Sequence, residues 1–169
     1  MTVRHATQDD YPAILELWKI AINDTLITFN VTSKTLPELT DMLDTRHAAG
    51  RATFVAEKDG RLVGFASYDQ FRPGPGYAPT VEHSIMLAEG ARGHGLGRAL
   101  MNVLEDHARN AGHHSIIAGV SGANPDGIAF HAALGYARTA MLSQVGFKWD
   151  QWLDLHLMQK FLSPDTPGR

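Results

Sequence analysis

The sequence predicts an α/β protein (an α+β mixed sheet): a twisted, mostly antiparallel sheet with a central parallel strand pair and helices on both faces. Three observations predict it. Residues 53–58 and 62–69 read as strands on either side of Asp59-Gly60, the dipeptide best suited to a tight hairpin turn. Residues 80–87, a glycine-rich turn, an amphipathic stretch over 95–111 and the nearly all-apolar run 116–120 form a strand–helix–strand unit, whose strands should pair in parallel by a right-handed crossover. With 169 residues, 44% hydrophobic and 20% charged, the chain has the size and balance of one compact core.

The elements follow in order. Residues 3–6 read as a first strand, after which Asp9 and Asp10 can cap a helix whose apolar positions Ile14, Leu17, Trp18, Ala21 and Ile22 recur at helical spacing. Residues 23–33 break that period. Pro37 opens a second helix with Leu36, Leu39, Leu43 and His47 on one side and Gly50 as its stop. The hairpin comes next, and residues 70–79, with three prolines and two glycines, must be a loop at its end. In the helix over 95–111, Leu96, Leu100, Val103, Leu104 and Ala108 make the buried face. A last helix spans 125–134 and stops at Gly135, and two strands fall near 137–145 and 152–160. The expectation is a single domain over 1–162 and a frayed tail over 163–169.

Composition narrows the chemistry. A net charge of -3 gives no global reason to expect nucleic-acid or anionic-membrane partners, since both need a basic surface field. The absence of cysteine excludes disulfides, thiolate metal sites and cysteine nucleophiles. Nine histidines are scattered without the spacing of a metal site, so no metal is expected. No apolar stretch reads as a signal peptide or membrane span, which points to a soluble cytoplasmic protein.

The segment Arg92-Gly93-His94-Gly95-Leu96-Gly97-Arg98 sits between a strand and a helix, where free backbone N–H groups and the helix dipole converge on an anion. Glycines let a phosphate approach, and the two arginines bracket the loop. No Lys-Ser or Lys-Thr follows, as a P-loop needs, and the glycine spacing departs from the dinucleotide fingerprint. Taken alone, the cluster also fits an ordinary strand-to-helix turn.

The loop resembles the Arg/Gln-x-x-Gly-x-Gly/Ala signature of the GNAT superfamily of N-acetyltransferases, matched by Arg92, Gly95 and Gly97. The segments Thr80-Val81-Glu82-His83-Ser84, Phe130-His131-Ala132-Ala133-Leu134-Gly135-Tyr136, Gly146-Phe147-Lys148 and Trp152-Leu153-Asp154 occur in the order typical of its phosphinothricin and methionine sulfoximine acetyltransferase branch. The resemblance covers nearly the whole chain. It implies the GNAT acyltransferase fold, acetyl-coenzyme A (acetyl-CoA) as cosubstrate, a small-molecule amine as acceptor, direct transfer in a ternary complex, and a homodimer.

It also implies roles. The loop residues Arg92, Gly93, His94, Gly95, Leu96, Gly97 and Arg98 would cradle the coenzyme A pyrophosphate, while Ile85, Met86 and Leu87 would pair their main chain with the pantetheine arm. Glu82 matches the proposed general base; by residue type alone it fits a solvated strand position. His131 stands where many members carry a tyrosine acid, so it is a candidate acid or a structural histidine. Asn124 matches an asparagine that bonds coenzyme A and also fits a helix cap. Arg72 and Tyr77 in the proline-rich loop, with Phe29, Asn30 and Lys148, are the substrate-binding candidates.

Three rival readings remain. Gly119-Val120-Ser121-Gly122-Ala123 approaches a serine-hydrolase elbow but lacks its last glycine. The acceptor could be a protein N-terminus or lysine, or the fold could bind coenzyme A without catalysis.

Overall fold

The computed structural model describes residues 2–163. One seven-stranded sheet carries the chain: β1 (Thr2–His5), β2 (Thr53–Lys58), β3 (Arg61–Gln70), β4 (Thr80–Leu87), β5 (Ser115–Ser121), β6 (Ala137–Lys148) and β7 (Gln151–Phe161), in the spatial order β1-β2-β3-β4-β5-β7-β6. Every neighbouring pair is antiparallel except β4 and β5. The helices are α1 (Tyr11–Asp24), α2 (Leu36–Ala48), α3 (Leu96–Asn110) and α4 (Pro125–Ala133).

Strand alternation sorts the core into two layers. Phe54, Ala66, Tyr68, Val81, Ile116 and Met158 pack with Leu100 and Leu104 of α3. Their neighbours in sequence, Val55 and Phe65, face the other way and pack with Ile14 and Trp18 of α1 and Leu39 and Leu43 of α2. The expected helices on both faces follow from this alternation. One charge enters the first layer: Glu105 of α3 accepts from the Tyr136 hydroxyl at 3.0 Å and from Lys160 Nζ of β7 at 2.5 Å, so a buried carboxylate is fully engaged.

The Asp59-Gly60 turn has φ of 53° and 73°, the positive values that a two-residue hairpin of right-handed twist requires. The β6–β7 connection uses the same geometry with Trp149 at 51° and Asp150 at 57°, without glycine, so the sequence reading ended the two strands short of their hairpin. β6 also carries register breaks between Arg138 and Ala140 and between Leu142 and Gly146, which carry the strand on to Lys148. α2 begins one residue before Pro37 and is capped by Thr35, whose backbone N–H is bonded in return by the Glu38 carboxylate. Beyond residue 163 the expected tail lies outside the described residues.

Candidate active site

The parallel ladder between β4 and β5 is short. It pairs Thr80 with Ser115, Val81 with Ile116, Glu82 with Ile117 and His83 with Ala118, and there it stops. β4 runs on to Leu87 bonded only to β3, and β5 runs on to Ser121 bonded to β7. The main chain of residues 84–87 therefore presents an open edge to a gap in the middle of the sheet. An extended amide-bearing molecule can fill that gap as a surrogate strand.

A cleft of about 200 Å³ occupies the gap. Ser84, Ile85, Met86, Gly119, Val120 and Ser121 line it from the two strands, His131 and Asn124 from the α4 side, and Trp18 with residues 27–30 from the α1 side. The opening thus passes through the sheet. One face looks onto α1 and the α1–α2 loop, the other onto α4.

Glu82 lies at the closed end, on the face of β4 opposite to that of His83. It does not line the cleft, but a Cβ built on Gly119 would fall 2.9 Å from its Oε1, which places the carboxylate against the strand that does. Asp69 is its cross-strand partner. Arg46 of α2 bonds Asp69 Oδ2 at 3.3 Å and Ser67 Oγ at 3.1 Å, and Arg51 bonds Asp69 Oδ1 at 2.9 Å. Burial pushes the Glu82 carboxyl above the usual carboxylate range, and the nearby Arg72 and Arg46 pull it part of the way back. A raised carboxylate is a better proton acceptor than a solvated one.

His131 occupies the other face. Its Nδ1 lies 2.7 Å from the Gly127 carbonyl, so the proton sits on Nδ1 and Nε2 is a buried lone pair with no protein partner among the described residues. Burial holds its pKa below that of a free imidazole, against the Gly127 carbonyl, which raises it. At neutral pH this histidine is an acceptor; to donate from Nε2 it must first be protonated. His83, buried and with neither ring nitrogen bonded among the described residues, stacks on it at 5.1 Å between ring centres and is driven well below the ordinary histidine range by burial and by His131.

The glycine loop lies at the β4–α3 junction. Arg92, Gly93, His94 and Gly95 are exposed, Gly93 and Gly95 have φ of 79° and 77°, and α3 begins at Leu96 with its first internal bond from the Ala99 N–H to the Gly95 carbonyl. The N–H groups of Leu96, Gly97 and Arg98 thus precede the helix ladder and have no acceptor within α3. Gly97 lets α3 close on its neighbours: a Cβ there would meet Phe130 at 3.0 Å and Leu87 at 3.2 Å. Arg98 donates to the Ala133 carbonyl at 3.2 Å. These groups form an exposed turn beside the open edge of β4, of a chemistry that suits an anion.

The remaining candidates divide. Asn124 caps α4, its Oδ1 accepting from the Gly127 N–H at 2.9 Å, while it also lines the cleft. Phe29 and Asn30 line the cleft. Arg72 and Tyr77 stand on the exposed loop after β3, whose course is fixed by Gln70: its side-chain amide donates to the carbonyls of Arg72 at 2.6 Å and Gly74 at 2.8 Å. Lys148 is different from expectation. Its ammonium is buried, donating to the main-chain carbonyls of Ile22 and Thr28, and does not line the cleft. Ser121 lines the cleft, yet its hydroxyl accepts from the Ala123 N–H at 3.2 Å and has no histidine partner among the described residues, which leaves the elbow reading without a base.

Sequence reasoning missed Trp18, His83, Gly119 and Leu155 as cleft residues. Gly119 carried a signal, since a glycine inside an apolar strand marks close approach of another group. The described residues hold no group of three or more side chains suited to a metal ion, and no helix among them is long and apolar enough to cross a membrane.

Residues 14–136 match the model of the acetyltransferase (GNAT) family. The L-methionine sulfoximine/L-methionine sulfone acetyltransferase of Salmonella typhimurium is 36% identical over 159 residues, covering 94% of this chain and 93% of the relative. The structure of a phosphinothricin acetyltransferase from Sinorhizobium meliloti in complex with acetyl-CoA superposes with a TM-score of 0.94 at 32% identity, covering 99% of this chain and 91% of that one. A ribosomal-protein-alanine N-acetyltransferase from Brucella melitensis is 40% identical with a TM-score of 0.91, covering 95% of this chain and 99% of its own.

Proposed function

The chain belongs to the acetyltransferase (GNAT) family, and from that premise we propose that it transfers acetyl from acetyl-CoA to the amino group of a small amino-acid analogue of the phosphinothricin, methionine sulfoximine or methionine sulfone type. The observation that carries this reading is the gap opened where the β4–β5 ladder ends after His83, with the glycine loop at one end and Glu82 at the other. Its residues fit the cosubstrate. The open edge of Ile85, Met86 and Leu87 suits a pantetheine amide chain, and the first N–H groups of α3, with Arg92 and Arg98 beside them, suit a diphosphate.

In this reading Glu82, acting directly or through a water, takes the proton the amine loses as its nitrogen bonds the acyl carbon. The carbon–sulfur bond then breaks and sulfur leaves as thiolate, on the side where His131 stands. Because the neutral imidazole shows that side a lone pair, the thiolate draws its proton from solvent unless His131 is charged. Arg72, close enough to Glu82 to shift its titration, is the candidate partner for a substrate carboxylate. Trp18, Ile27, Phe29 and Leu155 give the acceptor side chain an apolar surround.

The small cleft favours a free amino-acid analogue over a polypeptide. The second reading, a protein N-terminus as acceptor, is favoured by the 40% identity to a ribosomal-protein-alanine acetyltransferase. A thiol-release assay with acetyl-CoA separates them: methionine sulfone and methionine sulfoximine should turn over far faster than alanine-terminated peptides. The reverse order supports the second reading, and coenzyme A binding without turnover of any amine would make this a non-catalytic binding module. For the homodimer, the support is an exposed apolar face on the β6–β7 hairpin, including Met141, Val145, Phe147 and Trp152, at the open edge of the sheet.

Gly119→Ala gives a direct check on the base. The added methyl would press on the Glu82 carboxylate, the end of a flexible side chain, so the fold should persist while the carboxylate swings aside. The expected result in steady-state kinetics is a fall in kcat of roughly tenfold, since an ångström of misplacement is costly to a positioned base.

A further inference from the structure

We propose that Lys148 and Gly146 of β6 are positioning residues that hold the α1–α2 loop in place as the amine-side wall of the cleft. The inference rests on the acetyl-transfer reading and adds to it what sets the acceptor site. Residues 27–30 line the cleft but belong to no helix or strand, and within their own loop only weak turns support them: Ile27 N–H to Thr25 Oγ1 and Asn30 N–H to Thr28 Oγ1, both at 3.3 Å. Such a segment does not hold a wall by itself.

β6 supplies what the loop lacks. Lys148 Nζ donates to the Ile22 carbonyl at 2.6 Å and to the Thr28 carbonyl at 3.1 Å, with the residue only 2% exposed. The Ile22 carbonyl is among the last four of α1, which the helix leaves without partners, and a cation is favoured at that negative end of the dipole. One ammonium therefore ties the end of α1 to the loop six residues on. Two residues earlier on the same face of the strand, Gly146 takes the Phe29 ring against its backbone, so closely that a Cβ there would lie 2.5 Å from Phe29 Cδ2.

The register break between Leu142 and Gly146 belongs to the same device, because a bulge re-aims the residues that follow it. Gln144 adopts φ of 54° within it, and its N–H donates to Asp154 Oδ1 at 2.9 Å, fixing the bend. The acceptor wall is thus set from the far edge of the sheet. Substitutions on β6 should alter acceptor binding while leaving the glycine loop untouched.

The test uses the full chain. In Lys148→Met the KM for the amine should rise by about tenfold, with the KM for acetyl-CoA within about twofold and kcat within about threefold of wild type. Lys148→Arg, which keeps a donor cation, should restore much of the loss, and Gly146→Ala should show the same split by displacing Phe29. Amide hydrogen exchange of residues 25–30 should quicken in both Lys148→Met and Gly146→Ala. An unchanged amine KM, or both KM values rising together, overturns the proposal. If Lys148→Met does not fold, Gly146→Ala carries the test. If wild type acetylates no amine, the acetyl-transfer reading fails, while the exchange rates still decide whether β6 holds the loop.

Discussion

Glu82→Gln is expected to lower kcat by about 10²-fold or more while leaving both KM values near wild type. The variant keeps the shape of the side chain and its place beside Gly119, so binding surfaces survive. What it removes is the basic carboxylate that accepts the amine proton. Because burial lifts the Glu82 pKa, the acid limb of the wild-type rate profile should lie above the pH at which a solvated carboxylate titrates. Below that limb the group is protonated and idle; above it the rate should hold.

The stability sign runs the opposite way. A carboxyl whose folded pKa is raised binds its proton more tightly in the folded chain than in the unfolded one, so its ionisation at neutral pH works against folding. Glu82→Gln removes that ionisation. The variant should melt no lower than wild type in calorimetry at pH 7, and the combination of lost turnover with retained or improved stability separates a base from a structural carboxylate. Equal turnover near neutral pH would remove Glu82 from the base role.

Gly95→Val is expected to raise the KM for acetyl-CoA by about 10²-fold, with kcat at saturation close to wild type. Gly95 sits at φ of 77°, and a β-branched side chain is strained there even though open space surrounds it. The strain re-aims the first N–H groups of α3 at the turn whose Gly95 carbonyl accepts the first bond of that helix. Isothermal calorimetry with coenzyme A should report the same loss of affinity. A variant that binds coenzyme A like wild type would show that the glycine loop is an ordinary turn.

Much of the sheet was legible because its signals are local. Asp59-Gly60 announces its own hairpin, and the four-residue spacing of Leu96, Leu100, Leu104 and Ala108 announces the buried face of α3. The β6–β7 turn was not, because Trp149 and Asp150 adopt positive φ under the pull of eleven-residue and longer strands on either side rather than by preference of their own. The insertion of β7 between β5 and β6 is a pairing choice between distant segments, and the end of the β4–β5 ladder at His83 depends on what β5 does beyond Ala118.

The site divides in the same way. Glycines, arginines and Glu82 stand in a recognisable order along the chain, whereas Lys148, a substrate-binding candidate by sequence, is buried against carbonyls 126 and 120 residues before it. No window of sequence contains both halves of that contact. The tautomer of His131 is equally invisible until α4 brings the Gly127 carbonyl to Nδ1.

The four-rung junction between β4 and β5 has a mechanical meaning as well. It joins a leaf of four strands to a leaf of three, and the backbone bonds missing beyond it are the ones a threaded cosubstrate would restore. Loading the molecule and finishing its sheet are then a single event, so the filled protein should be the stiffer body and the empty one free to flex about its midline.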